Sequence, residues 1–180
     1  AKVKGQRTEV DGDFLVAAYR RPDFRVDPSL SAAEPVAGNK LQGTVTARYL
    51  FGAPMASQPA RWTYSKNPTF DAPPAVTEHF PDRYTFVGTD WSEEKTWPSG
   101  TISKKEGTLN EKGELLLSLP TETKAGIPYT YNLEGEVTDV ARQRIANRTS
   151  IRVHPAPWYI GVKTPPYFAT TSVDTDLIAV

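Results

Sequence analysis

The sequence predicts an all-β protein, an antiparallel β-sandwich of about seven or eight strands lying between residues 23 and 153. Two observations carry this. From Tyr129 to Val137 the residues alternate, with Tyr129, Tyr131, Leu133 and Val137 on one side and Thr130, Asn132, Glu134 and Glu136 on the other. Period-two alternation is the mark of a half-buried strand, because successive side chains leave opposite faces of a pleated backbone. Thr149, Ile151 and Val153 repeat the pattern beyond a polar connection, which predicts a long antiparallel hairpin with one apolar face. The second observation is sixteen prolines in 180 residues with no convincing helical period, which suits short strands and turns.

In order, Phe14 to Tyr19 reads as a short strand that stops at Arg20-Arg21-Pro22, and Phe24-Arg25-Val26 as a second. The four residues between them lack the chemistry of a tight hairpin, so a crossing between domains is expected. A loop is expected from Asp27 to Gln42. Gly43 to Phe51 then alternates, with Val45, Ala47, Tyr49 and Phe51 sharing a face. Gly52-Ala53-Pro54 turns the chain into a strand carrying Ala60, Trp62 and Tyr64. Lys66 to Pro81 reads as a long loop, followed by a short strand at Tyr84 and Phe86. Thr108 to Glu114 is a turn with Gly113 where a positive φ is required. Leu115, Leu117 and Leu119 point inward from the next strand, leaving Leu116 in water. The expected core is Val45, Tyr49, Trp62, Leu115, Leu117, Tyr131, Leu133, Val137 and Ile151. After Val153, His154-Pro155-Ala156-Pro157 is a stiff linker. New strands are expected at Trp158–Val162 and from Val173, ahead of an Asp174-Thr175-Asp176 turn.

Lysine plus arginine equals aspartate plus glutamate, so there is no electrostatic case for nucleic acid or an anionic membrane. No apolar run approaches the roughly 20 residues of a membrane span, so no direct membrane insertion is expected. The absence of cysteine excludes disulfides and thiolate chemistry within this chain.

Taken in order, several short motifs resemble the bacterial alpha-2-macroglobulin family. They are Phe14 to Val26, with its Tyr-Arg-Arg-Pro-x-Phe crossing, and Val45 to Pro54, ending in Phe-Gly-Ala-Pro. Glu136-Val137-Thr138-Asp139 with Gln143, and Arg148-Thr149-Ser150, come next, followed by Val153-His154-Pro155-Ala156 with Tyr159-Ile160-Gly161. The resemblance implies an immunoglobulin/fibronectin-type-III-like sandwich, the third macroglobulin-like domain, over residues 22–153. Residues 1–21 would be a tail and the last strand of a preceding domain, and residues 154–180 a linker and the first strands of a following one. It also implies a non-catalytic scaffold within a large broad-spectrum protease inhibitor of the bacterial periplasm or cell envelope. In that family a protease cuts a bait segment, the molecule rearranges, and a Cys-x-Glu-Gln thioester can capture the attacker. This chain has no cysteine and no assignable bait. Its implied partners are neighbouring macroglobulin-like domains, with target proteases met only through the full-length protein.

Candidate chemistry is sparse. His79 and His154 have no second ligand at a motif spacing, so no metal site is expected. Asp11-Gly12-Asp13 and Asp174-Thr175-Asp176 do not continue into ligand-rich calcium loops and read as turns. There is no Gly-x-Ser-x-Gly, and Glu93-Glu94 reads as solvated charge. Asn147-Arg148-Thr149 matches a glycosylation pattern but falls inside an expected strand. No catalytic residue and no cofactor are expected. Phe14, Tyr19, Trp91, Trp97, Trp158 and Tyr159 are the candidate interface residues. Phe14 or Trp158 is expected to be substantially buried against the sandwich or a neighbouring chain. The rival reading is a carbohydrate-binding platform built from Tyr84, Phe86, Trp91 and Trp97, with an adhesin or stalk module as a third class.

Overall fold

The alternating segments pair as antiparallel strands, seen in a computed structural model that describes residues 22–70, 72–80, 84–86, 96–163, 172 and 174–180. The strands are β1 (Phe24–Ser31), β2 (Lys40–Tyr49), β3 (Pro59–Pro68), β4 (Thr85–Phe86) and β5 (Gly100–Thr108). They continue with β6 (Glu114–Pro120), β7 (Tyr129–Thr138), β8 (Arg144–Val153), β9 (Ile160–Lys163) and β10 (Asp176–Ala179). One helix, α1 (Pro74–His79), interrupts them. A three-stranded sheet in the order β1-β2-β6 faces a four-stranded sheet in the order β5-β3-β7-β8, and β10-β9-β4 form a separate small sheet. The chain is therefore an antiparallel β-sandwich, as its alternation predicts.

The core lies between the two larger sheets. Val45, Trp62, Tyr131, Leu133 and Val137 are buried, while Tyr49, Leu115, Leu117 and Ile151 are half-buried against them. Leu116 is 67% exposed, which fixes the register of β6 as read from its leucines. The hairpin of β7 and β8 pairs Tyr129 with Val153 and Thr138 with Arg144. Its turn is held by Asp139, whose Oδ1 accepts from the Gln143 amide at 2.7 Å, and Arg142 takes a φ of 62°. The turn before β6 depends on Gly113. Its φ is 74°, and a Cβ there would lie 2.5 Å from the Ala47 carbonyl oxygen.

Several expectations need correction. The loop expected from Asp27 is shorter, because β1 runs through Pro28 to Ser31 and β2 begins at Lys40. Pro28 is tolerated because β1 is an edge strand that pairs only with β2. Phe51 does not share the inward face. The chain has already turned there, with the Gly52 amide donating to Tyr49 at 2.8 Å, and Phe51 is 80% exposed with its ring stacked on Tyr49. Leu109, assigned to a turn, is buried and paired in both directions with the Ser57–Gln58 segment. β3 extends through Lys66 to Pro68, and α1 occupies part of the expected loop, with proline in its first turn. β5 had no apolar signal to betray it, since this edge strand is exposed along most of its length. β4 belongs to the small sheet, where Phe86 pairs with Gly161, and not to the sandwich. The last strand starts at Asp176, while Val173 lies outside the described residues.

A buried and an exposed leucine, one from each sheet of the sandwich, give a direct test. Leu133→Ala, at a position with no exposure, is expected to cost about 2–5 kcal/mol in urea denaturation. Leu116→Ala should change stability by no more than about 0.5 kcal/mol.

Candidate functional site

Among the described residues, chemistry-bearing side chains do not converge on one site. On the outer face of the four-stranded sheet, Arg61 donates to Glu106 Oε1 from Nε at 3.1 Å and from Nη2 at 2.7 Å, and its Nη1 lies 3.7 Å from Glu136. These charges border a shallow groove but are open to solvent, the setting in which ion pairs contribute least. No cluster of metal-ligating side chains occurs among the described residues, nor any helix long and apolar enough to cross a membrane.

The inner face holds one polar cluster that the sequence reading missed. Lys66 falls on the inward side of β3, in line with Trp62 and Tyr64, and is 8% exposed. Its ammonium contacts Glu122 and sits 4.8 Å from the centre of the Tyr129 ring. Tyr64 donates to the Pro120 carbonyl at 3.0 Å, and the Tyr131 hydroxyl accepts from the Glu122 amide at 2.8 Å. Burial raises the pKa of Tyr64, Tyr129 and Tyr131, so all three stay neutral. Such a satisfied network stiffens this end of the sandwich. Lys66 continues the period of β3, but it opens the proline-rich stretch from 66 to 81 that reads as a loop.

The junction after β8 is the other organised region. His154 is not a free linker residue. Its amide donates to Pro35 at 2.7 Å, and its carbonyl accepts from Ala37 at 2.8 Å, forming a parallel bridge with Val36. Its Nδ1 lies 2.6 Å from the Tyr159 hydroxyl, with the two rings edge-on at 5.7 Å. Desolvation, with a smaller contribution from Arg152, lowers the His154 pKa, and burial pushes the Tyr159 phenol up to about 12. A cavity of about 520 Å3 adjoins this pair, walled by Val36, Pro73, Val76, Pro157 and Val180.

Among the candidate interface residues, Phe14, Tyr19 and Trp91 lie outside the described residues. Trp97 is half-buried against the sandwich core, its ring reaching to within 3.1 Å of where a Cβ on Gly126 would stand. Tyr159 is buried. The sequence predicts burial of Phe14 or Trp158; Phe14 lies outside the described residues, and Trp158 is 50% exposed while its neighbour Tyr159 takes the covered side. Of the rival platform of Tyr84, Phe86, Trp91 and Trp97, Trp91 lies outside the described residues. Phe86 is buried in the small sheet beside Phe80, at 6.3 Å, while Trp97 packs on the sandwich core. Asn147 donates from Nδ2 to the Val26 carbonyl at 3.0 Å, so its amide links β8 to β1 across the open side of the sandwich.

No family model matches the chain. It is 27% identical over 158 residues to an alpha-2-macroglobulin homolog of Nostoc sp., covering 87% of this chain and 8% of that protein. The resemblance to bacterial alpha-2-macroglobulins holds. Solved structures agree on the fold. Trypsin-activated alpha-2-macroglobulin from Escherichia coli superposes with a TM-score of 0.62 at 17% identity, covering 81% of this chain and 9% of that one. Salmonella alpha-2-macroglobulin reacted with methylamine gives 0.63 at 17%, covering 82% and 9%. The alpha-2-macroglobulin likeness therefore concerns one short stretch of much longer chains.

If Trp97 is a packing residue, Trp97→Ala should lower stability by about 1–3 kcal/mol. Migration of the native chain through polysaccharide-containing gels should equal that of a non-binding control. Retardation lost in Trp97→Ala would assign sugar binding instead.

Proposed function

We propose that this chain is a non-catalytic scaffold and interface piece of a larger alpha-2-macroglobulin-like protein that traps proteases after bait cleavage. The observation that carries the proposal is the match along 87% of the chain to a small fraction of an alpha-2-macroglobulin homolog, in a fold whose polar groups serve packing. In this reading residues 22–153 form one macroglobulin-like domain. Residues 1–21 end the preceding domain and residues 154–180 begin the next.

The small sheet is separate from the two sheets of the sandwich but crosses that division, because β4 joins it from within residues 22–153. Directly paired residues of antiparallel strands share a face, so Thr85, Val162 and Leu177 point one way, and Ile160 with Ala179 joins them. Leu177 is 66% exposed and Ile160 39% exposed, with Trp158 also open. The opposite face is closed by Phe86 and Ile178 over Gly161. A sheet with one bare apolar face is the half of a sandwich that a second layer completes. The implied location is the bacterial periplasm or cell envelope, and the implied contacts are neighbouring sandwiches of the same polypeptide.

The purified chain is expected to leave a panel of proteases fully active at several-fold molar excess, because it has neither bait nor thioester cysteine. The parent protein, given the same proteases, should retain small-substrate hydrolysis while blocking cleavage of large substrates. Inhibition by the isolated chain, or a parent without effect on large substrates, would overturn the proposal.

A further inference from the structure

The link between the sandwich and the small sheet runs through one pair of side chains. The sandwich ends at Val153, which is buried, and the His154 backbone is fixed to Pro35 and Ala37. Five residues later Tyr159 pairs with Val180 in both directions, at 2.7 and 2.9 Å, extending the β9–β10 ladder. Pro155 and Pro157 stiffen the stretch between. The His154–Tyr159 contact therefore closes a short ring of chain, with the sandwich at one end and the small sheet at the other. We propose that this pair is a protonation-sensitive clasp: neutral His154 holds the small sheet against the sandwich, and the imidazolium releases it.

The closed contact is satisfied by a neutral ring. Tyr159 stays protonated at physiological pH, and with Nδ1 unprotonated its hydroxyl donates there, whereas an imidazolium would have to donate from Nδ1 and turn the hydroxyl proton out of the contact. An imidazolium would have to be accommodated beside an apolar cavity walled by Val36, Pro73, Val76 and Pro157. Among the described residues, few charged groups surround it. Arg152, from β8, opposes a second positive charge. Glu34 lines the cavity from the loop before β2, and the Val180 carbonyl oxygen already accepts the Tyr159 amide. The nearby α1 side chains, Pro73 at its cap and Val76, carry no charge.

The sign follows from the direction of the shift. A folded-state pKa below the ordinary 6.5 means that the clasp contributes fully above pH 6.5 and loses that contribution as pH falls through the folded value. Amide exchange read by mass spectrometry on the 180-residue chain tests this, with rates corrected for the intrinsic effect of pH. Protection of residues 158–163 and 176–180 is expected to fall between pH 7.5 and pH 5.5, by at most about tenfold, while β7 stays unchanged. His154→Gln keeps an acceptor that cannot ionise and keeps His79, so its protection should no longer depend on pH. Tyr159→Phe should lower protection already at pH 7.5. Equal protection of the native chain at both pH values, or an unchanged pH dependence in His154→Gln, would refute the clasp.

Discussion

The two larger sheets can approach each other because each presents a glycine where the other presents a branched side chain. Gly135 of β7 lies opposite Val45 of β2, and a Cβ on Gly135 would stand 2.6 Å from Val45 Cγ1. Gly43 of β2 lies near Leu133 of β7, and a Cβ there would meet Leu133 Cδ2 at 3.3 Å and Leu119 Cδ1 at 2.8 Å. The interlock is reciprocal: a hole in each sheet takes a knob from the other. Interiors packed at this density leave no slack for an added methyl group, so the pair of contacts fixes both the spacing and the relative register of the sheets.

That spacing has consequences at the far end of the sandwich. Where β3 and β7 reach Pro68 and Tyr129, the hydroxyls of Tyr64 and Tyr131 find backbone partners at Pro120 and Glu122, and Lys66 finds Glu122. Gly38 and Asn39 are tied to the Thr121 hydroxyl at 3.0 and 2.6 Å, joining the loop before β2 to the end of β6. The same loop receives His154 through Pro35 and Ala37. A shift of one sheet relative to the other would move both anchors of the chain that leads to the small sheet. Packing in the core is thus coupled to the position of the junction.

Much of this was legible in the sequence, and the exceptions have physical causes. β7 announced itself through Tyr129, Tyr131, Leu133 and Val137, yet the break in that series at Gly135 carries the interlock, and a glycine's function is invisible until its neighbour is known. β5 was unreadable because an exposed edge strand needs no apolar face. Lys66 reads as loop because of the prolines that follow it, and Leu109 because it lies within the turn signal that ends at Gly113. His154 looked like a linker residue, since nothing in its spacing shows that a backbone bridge to Val36 and a hydroxyl five residues away would hold it. The open face of the small sheet could be anticipated from Trp158, Ile160 and Val162. Which aromatic neighbour was covered could not, because that depends on where the strand begins.

The interlock is tested most directly by a double-mutant cycle on Gly135 and Val45, read by urea denaturation. Gly135→Ala alone should destabilise the chain through collision with Val45, and Val45→Ala alone through the cavity it leaves. In the double variant the new methyl group occupies the space vacated by valine, so the two losses should offset each other with a coupling of about 1–3 kcal/mol. Additive losses, with no coupling beyond about 0.5 kcal/mol, would show that the sheets are not held by this contact and would contradict the account.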